Sequence, residues 1–331
     1  MKKHLFSQEG KFYKANLHCH TTVSDGKCTP DEIKRRYKDK GYSIVAFTDH
    51  ICMVDHSYLN DEDFLALKGY ELHIDNTVDS RTYHLNLIAK SPKVEAQVCF
   101  NPKIARIYSQ PYIPFVKYIG GFYDYEYSTD CINDIIRQAN ENGFIVNYNH
   151  PLWSLQTYED YGELKGLYGV ECYNGACVKY STFDDNSVVY TQMLRRSPEL
   201  IPIAADDNHN SSPFESPKCD SFRGFNMIKA KSLSYEDVMD ALLRGDTYAS
   251  TGPLFYELYV EDGILKAKTS PVSDAALVTH GREGRRIRRD GSETFTEFEF
   301  ELNDKNVPFR LEIIDAEGKR AYTRMYTPDE L

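Results

Sequence analysis

Tyr13-Lys14-Ala15-Asn16-Leu17-His18-Cys19-His20, residues 13–20, is a short apolar run that closes on two histidines one residue apart. Alternate side chains of a strand share a face, so His18 and His20 project from the same side of the sheet. Thr29-Pro30-Asp31-Glu32 follows, with an N-cap threonine, a first-turn proline and a capping-box glutamate; Gly41 closes that helix. The same unit recurs downstream. Apolar runs at 43–50, 81–89, 144–150, 168–174 and 200–207 are interleaved with helical patterns. Ile132, Ile135, Ile136 and Ala139 form one apolar stripe, ended by Gly143. Ser234 caps another helix, carrying Val238, Ala241 and Leu242 and ended by Gly245. Strand–helix alternation of this kind predicts an α/β fold on a parallel sheet, closed or open.

Two stretches depart from that rhythm. Residues 91–128 are rich in Tyr, Phe and Pro without a clean period and read as a long insertion, either a lid or substrate wall or an ordinary packed excursion. After Thr251-Gly252-Pro253 the pattern changes to period-2 alternation, with hairpin signals at Asp262-Gly263 and Glu317-Gly318. The expected organisation is an α/β unit over 1–252 and a small antiparallel, β-sandwich-like domain over 253–331. The basic run 281–291, GREGRRIRRDG, reads as a solvated hairpin turn in preference to an anion-binding patch.

The chain has 331 residues and a formal net charge of −11, which disfavours a grip on long nucleic acid, where Lys and Arg must neutralise phosphates. A nucleotide or short oligonucleotide stays open, since bound cations would neutralise some of the acids. The eight cysteines contain no C-x-x-C pair, and a chain of this size needs no disulfide staples. Neither a signal-peptide core nor a bilayer-length apolar run is present. These features predict a cytoplasmic protein with reduced thiols and no membrane partner; they say nothing of its oligomeric state.

Five of the ten histidines stand at strand ends in positions that carry chemistry. His18 and His20 end the first strand, His50 ends the second within Thr48-Asp49-His50, His150 ends a later one within Asn149-His150-Pro151, and Asp207 and His209 form D-x-H at the end of another. In parallel α/β folds ligands gather at the carboxyl ends of strands. Imidazole combined with carboxylate suits zinc, manganese or iron, whereas calcium and magnesium prefer oxygen alone. So many donors at one rim imply more than one ion, each taking about four to six ligands. His4, His56, His73 and His280 read as structural, although His73 shares a strand face with Glu71.

Asn16-Leu17-His18-Cys19-His20-Thr21 followed by Ser24-Asp25-Gly26 resembles the opening motif of the PHP (polymerase and histidinol phosphatase) superfamily. Thr48-Asp49-His50, Asn149-His150-Pro151 and Asp206-Asp207-Asn208-His209 resemble its later motifs, in the right order, over about residues 13–250. The resemblance implies a distorted (β/α)7 barrel holding two or three divalent metals. It implies that His18, His20, Glu71 and Asp207 hold one ion, that Glu71, His84 and His150 hold a second with Glu71 bridging, and that Asp25, His50 and His209 hold a third. Gly169-Val170-Glu171-Cys172-Tyr173-Asn174, the Asp206-Asp207 pair, the turn 245–253 and the trailing β-domain are similar to the carbaryl-hydrolase-like branch, whose namesake hydrolyses a carbamate ester.

The expected activity is metal-assisted hydrolysis of a small phosphate monoester or nucleotide by a water that clustered cations acidify. The alternatives are a carboxylic or carbamate ester on the same metals, and a non-catalytic metal-binding module. Asp49 is expected to orient a liganding imidazole or the attacking water, or else to cap a turn. Arg81, Arg106 and Lys179 are the candidate substrate-binding cations, by position in rim loops. Glu171 is expected either to face the cavity or to sit in a salt bridge, Cys19 to be core, and Trp153 to pack or to stack on a base.

Overall fold

The capping box at Thr29 forms as its residues predict: Thr29 Oγ1 accepts from Glu32 N, and the Glu32 carboxylate accepts from Thr29 N at 2.9 Å. The computed structural model describes residues 2–105, 107–177, 183–290, 293–302 and 307–331. In chain order it contains β1 (Lys2–His4), β2 (Lys11–Asn16), α1 (Pro30–Lys38), β3 (Ile44–Phe47), β4 (Leu65–Asp75), β5 (Thr82–Ala89), α2 (Thr129–Glu141), β6 (Phe144–Tyr148), α3 (Tyr158–Tyr161), β7 (Gly169–Asn174), α4 (Ser187–Met193) and β8 (Ile201–Ala205). There follow β9 (Phe225–Ala230), α5 (Tyr235–Arg244), β10 (Thr247–Ser250), β11 (Phe255–Glu261), β12 (Ile264–Val272), β13 (Asp274–Thr279), β14 (Gly284–Arg288), β15 (Phe295–Glu301), β16 (Phe309–Ile314) and β17 (Arg320–Thr323). Helix α2 buries the stripe of Ile132, Ile135, Ile136 and Ala139. Helix α5 ends at Gly245 with φ 73°, a left-handed conformation that glycine adopts without a Cβ penalty.

Among the described residues the larger sheet runs in the order β14-β13-β16-β17-β10-β9-β2-β3-β4-β5-β6-β7-β8. β2, β3 and β4 are parallel, as are β6, β7 and β8. The implied distorted (β/α)7 barrel is not seen as a closed barrel among the described residues, and in between β4–β5 and β5–β6 are antiparallel. The link between β4 and β5 is residues 76–81, far short of the dozen or more that a parallel crossover requires, so the two strands close as a hairpin. No α-helix lies between β3 and β4 or between β8 and β9 among the described residues. The sheet is therefore mixed, and its strand ladder does not close. β8 instead meets β9 through Asn226, which donates to Pro202 O at 3.0 Å and accepts from Ala204 N at 3.1 Å.

The segments beyond the strand ends are stitched directly to one another. His20 N donates to Asn208 O and Asp207 N to His18 O, so the chain after β2 lies beside the chain after β8. Ile51 N donates to Glu71 O, which sets His50 beside the middle of β4, and Asn149 N donates to His84 O.

The second sheet, β1-β11-β12-β15, is antiparallel throughout. Its Leu258, Leu265 and Phe300 meet Leu277, Leu311 and Ile313 of the larger sheet in one apolar cluster, as two facing sheets of a sandwich do. That sandwich recruits β1 from the start of the chain and shares its sheet with the first part through the β10–β17 pairing. The basic run forms β14, where Arg286 and Arg288 both pair with the buried carboxylate of Asp274.

The 91–128 stretch packs as an irregular excursion with short turns at Pro102–Ile104, Ile107–Ser109 and Ile113–Phe115. Val98, Cys99 and Phe100 enter the main core. Gln97 clasps the chain after β3, donating to Ile51 O and accepting from Met53 N, and Ser109 Oγ donates to His50 O. No helix among the described residues is long and apolar enough to cross a membrane.

Candidate metal centre

His18, His20, Asp25, His50, Glu71, His84, His150, Asp207 and His209 converge on one site beyond the carboxyl ends of β2, β3, β6 and β8, with Glu71 in the middle of β4 and His84 near the start of β5. Seven of them, all but His18 and His20, line a cavity of about 250 Å³ together with Trp153, Ala176, Cys177 and Ser211. His18 and His20 lie beneath it, fully buried. Three donor groups form among the described residues: His18, His20 and Asp207; Glu71, His84 and His150; and His20, Asp25, His50 and His209.

The first group is the tightest. His18 Nε2 lies 3.1 Å from His20 Nε2 and 3.2 Å from Asp207 Oδ1, and His20 Nε2 lies 3.0 Å from Asp207 Oδ1. Donors around a single ion with bonds of about 2.1 Å stand roughly 3.0–3.4 Å apart, so these spacings fit a shared cation. Glu71 sits among the groups and divides its oxygens between them. Its Oε1 is 3.3 Å from His18, 3.0 Å from His84 and 3.5 Å from His150, whereas Oε2 is 3.3 Å from His20 and 3.0 Å from His50. Glu71 Oε2 and His50 Nδ1 are both buried and, despite that 3.0 Å approach, make no hydrogen bond. Buried polar atoms are normally satisfied; lone pairs that converge without a shared proton suit divalent metals. In the third group Asp25 is 3.4 Å from His209 and 3.8 Å from both His20 and His50.

Local backbone geometry aims these side chains. His150 (φ 26°) and Asp207 (φ 50°) both occupy left-handed backbone, which costs non-glycine residues of the order of 1–3 kcal/mol each. Gly26 follows Asp25 where a Cβ would come within 2.6 Å of the His20 carbonyl, so the turn closes only around glycine. Asp206 anchors the far side, accepting from the backbone N–H of Phe222, Arg223 and Gly224 and from Tyr37 Oη. Burial pushes its carboxyl up to about 6 against those donors.

Proton affinities record the crowding. Burial depresses the His18 imidazole, yet the carboxylates of Asp207, Glu71 and Glu171 outweigh it and hold it well above the ordinary value. Burial likewise opposes the rise of His20, which Asp207 and Glu71 carry to about 10. Burial and neighbouring imidazoles lower His50 and His209. Burial would raise Glu71 and Asp207, but the surrounding histidines bring both below the carboxylate range. Protons and divalent cations compete for the same lone pairs.

Asp49 holds a turn, the alternative to orienting an imidazole or the attacking water. Its carboxylate accepts from Thr21 N and Oγ1 and from Ser24 N and Oγ, at 2.6–3.1 Å, so it grips the turn that carries Asp25. Among the described residues its carboxylate makes no hydrogen bond to an imidazole, and Asp49 is not part of the cavity lining. A carboxylate outside the donor groups that does hold an imidazole is Glu171, which accepts from His18 Nδ1 at 2.7 Å. Arg81 is bound to Asp79 and Asp160 and is absent from the lining. Arg106 and Lys179 lie outside the described residues. Trp153 lines the cavity, its ring 5.0 Å from that of His150 and 5.6 Å from that of His84. Cys19 is buried core, and His73 lies 5.3 Å from His50, ring to ring, just outside the donor groups. Sequence reasoning missed Cys177 and Ser211; only their place beside the cavity marks them.

Among solved structures the chain is similar to a two-domain protein from Bacteroides vulgatus containing a predicted PHP-like metal-dependent phosphoesterase. The identity is 16%, the TM-score 0.49, and the match covers 98% of this chain and 97% of that one. A candidate metal-dependent phosphoesterase from Bifidobacterium adolescentis matches at 15% identity and TM-score 0.42, over 65% of this chain and 93% of its own. An amidohydrolase from Chromobacterium violaceum, solved with bound sulfate and no metal, matches at 16% and 0.39, over 62% and 93%. No curated protein matches the chain. The PHP domain family model matches residues 16–185, more than half of the chain, and the protein belongs to that family.

Proposed function

We propose that the protein is a metal-dependent hydrolase, acting as a phosphoesterase on a small phosphate monoester or nucleotide, with two or three ions of zinc, manganese or iron. The observation that carries this reading is the division of one buried carboxylate, Glu71, between donor groups that share a single cavity. His18, His20 and Asp207 with Glu71 would hold one ion, Glu71, His84 and His150 a second, and Asp25, His50 and His209 a third. Bound divalent ions supply Lewis acidity, bring a water's pKa near neutrality and take up charge developing on the ester.

The chain's own groups do the rest. Trp153, Ala176 and Cys177 line the cavity beside the donor groups. A volume of about 250 Å³ admits the reacting end of a small substrate and little more. Asp49 and Gly26 keep the Asp25 turn in place. The second reading is a carboxylic or carbamate ester on the same ions. It is favoured by the absence of Lys and Arg from the cavity lining among the described residues, since such esters need no cationic clamp. Resemblance to the carbaryl-hydrolase-like branch supports it too. Eight free cysteines accord with a cytoplasmic setting.

A panel of phosphate monoesters and nucleotides, run beside aryl esters and carbamates with added Mn²⁺, separates the readings. Phosphate release that chelation abolishes is the expected result. Ester or carbamate turnover without phosphate release from any member selects the second reading. Fewer than two transition ions per chain, in protein purified without chelator, would remove the mechanism.

A further inference from the structure

We propose that Glu171 is the positioning residue of the metal centre: one buried carboxylate on β7 that sets the tautomer of His18 and the backbone of His150 at once. This rests on the metal-centre reading above. Glu171 is completely buried. Oε1 lies 2.7 Å from His18 Nδ1, and Oε2 accepts from His150 N at 2.9 Å and from Asn174 Nδ2 at 2.8 Å. The same Asn174 amide lies 3.2 Å from Asp207 Oδ2. β7 supplies none of the nine candidate ligands, yet its end holds three of them.

A β-bulge makes this reach available. Glu171 pairs with Ile203 and Tyr173 with the next residue, Ala204, so Cys172 is an extra residue in the strand. Strict alternation would send Glu171 and Asn174 to opposite faces; the extra residue brings both to the same one.

The acceptor count then decides the imidazole. A backbone N–H and an amide N–H occupy Oε2, and neither can reverse its role. With Oε1 also accepting, His18 Nδ1 carries the proton and Nε2 keeps its lone pair, aimed at His20 Nε2 and Asp207 Oδ1. The bond from His150 N holds that residue in its left-handed conformation. Glutamine cannot replace these contacts. With its oxygen toward His18, its amide meets two donors. With its oxygen toward His150 and Asn174, its amide donates to His18 Nδ1 and drives the imidazole proton onto Nε2, where the cation should sit.

The test uses Co²⁺ alone as the probe. Glu171→Gln should bind Co²⁺ about 10- to 100-fold more weakly than wild type in a chelator competition, with an unchanged circular dichroism spectrum for the metal-free protein. Affinity equal to wild type would overturn the role of Glu171 and leave the metal centre standing. A wild type that binds no Co²⁺ would take the metal reading and this inference together. Long-range ¹⁵N NMR of the wild-type imidazoles, with His18→Asn for assignment, decides even if the variant does not fold. His18 should keep a proton on Nδ1 whether the ring is neutral or charged, and a bare Nδ1 with the proton on Nε2 alone would overturn the proposal.

Discussion

The two ends of the larger sheet are built on opposite rules. At the β13-β16-β17 end the face turned to the second sheet carries Leu277, Leu311 and Ile313, and the buried polar side chains of those strands, Asp274, Arg310 and Thr323, meet Arg286, Glu312 and Leu311 N. At the β4-to-β8 end the buried side chains include Glu71, His84, Asn147 and Glu171. Several atoms there, Glu71 Oε2 and both amide atoms of Asn147 among them, make no hydrogen bond. A buried polar group left alone costs about 1–3 kcal/mol, and the strained backbone of His150 and Asp207 adds to that. The sandwich end stabilises the fold, whereas the other end draws on that stability to keep lone pairs aimed at a common point. The contrast lies in the kind of group buried: converging imidazoles and carboxylates at one end, facing apolar sheets at the other.

The sharpest break comes from ligand removal. Glu71→Ala should lower hydrolysis by at least about a thousandfold, because its two oxygens serve different donor groups, and His209→Ala by only about ten- to a hundredfold. Steady-state kinetics with Mn²⁺ would show this; similar residual activity in both would end the bridging role. Chelation should destabilise the loaded protein by on the order of 4 kcal/mol when the ion had been present at a thousand times its Kd, seen as a lower Tm. Leu311→Ala, at the sandwich end, should cost about 2–5 kcal/mol of stability while metal affinity stays at wild type. A change in affinity there would mean that the two ends are coupled.

Proton linkage sharpens the comparison further. The raised imidazoles of His18, His20 and His150 stabilise the metal-free protein fully below about pH 6.5, and that contribution is lost as pH rises, through about 10 for His20. Glu71 and Asp207, being depressed, contribute above about pH 4 and lose it in stronger acid. Metal-free protein should therefore lose Tm between pH 6.5 and 9, while Mn²⁺ affinity rises over the same range. Parallel trends would remove the competition between protons and cations. The smallest effect is expected at Arg81→Ala, within about threefold of wild-type activity, since its guanidinium is taken by Asp79 and Asp160.

Much of this was legible beforehand for local reasons. The helix at Thr29, the stripe of α2 and the glycine end of α5 depend on neighbours within about four residues, so their signals survive in the linear chain. The strand-end histidines were legible because period-2 alternation and the position of strand ends are also local properties. Asp49 stayed open between two roles because a carboxylate beside a ligand is equally suited to an imidazole and to a turn; the approach of Thr21 and Ser24, in the loop after β2, made the choice. Glu171 stayed ambiguous for a related reason, since its aim depends on a bulge that exists only against β8.

The amino-acid order alone determined the kinds of donor, their order along the chain, and the elements that end in them, because propensity, capping and alternation act over a few residues. Tertiary structure decided which donors meet, that β4 and β5 turn back as a hairpin, and that β7 holds the centre from behind. Those outcomes depend on pairings between segments that lie up to about two hundred residues apart, such as His18 with Asp207, and no local pattern encodes the distance between two side chains that the chain has yet to bring together.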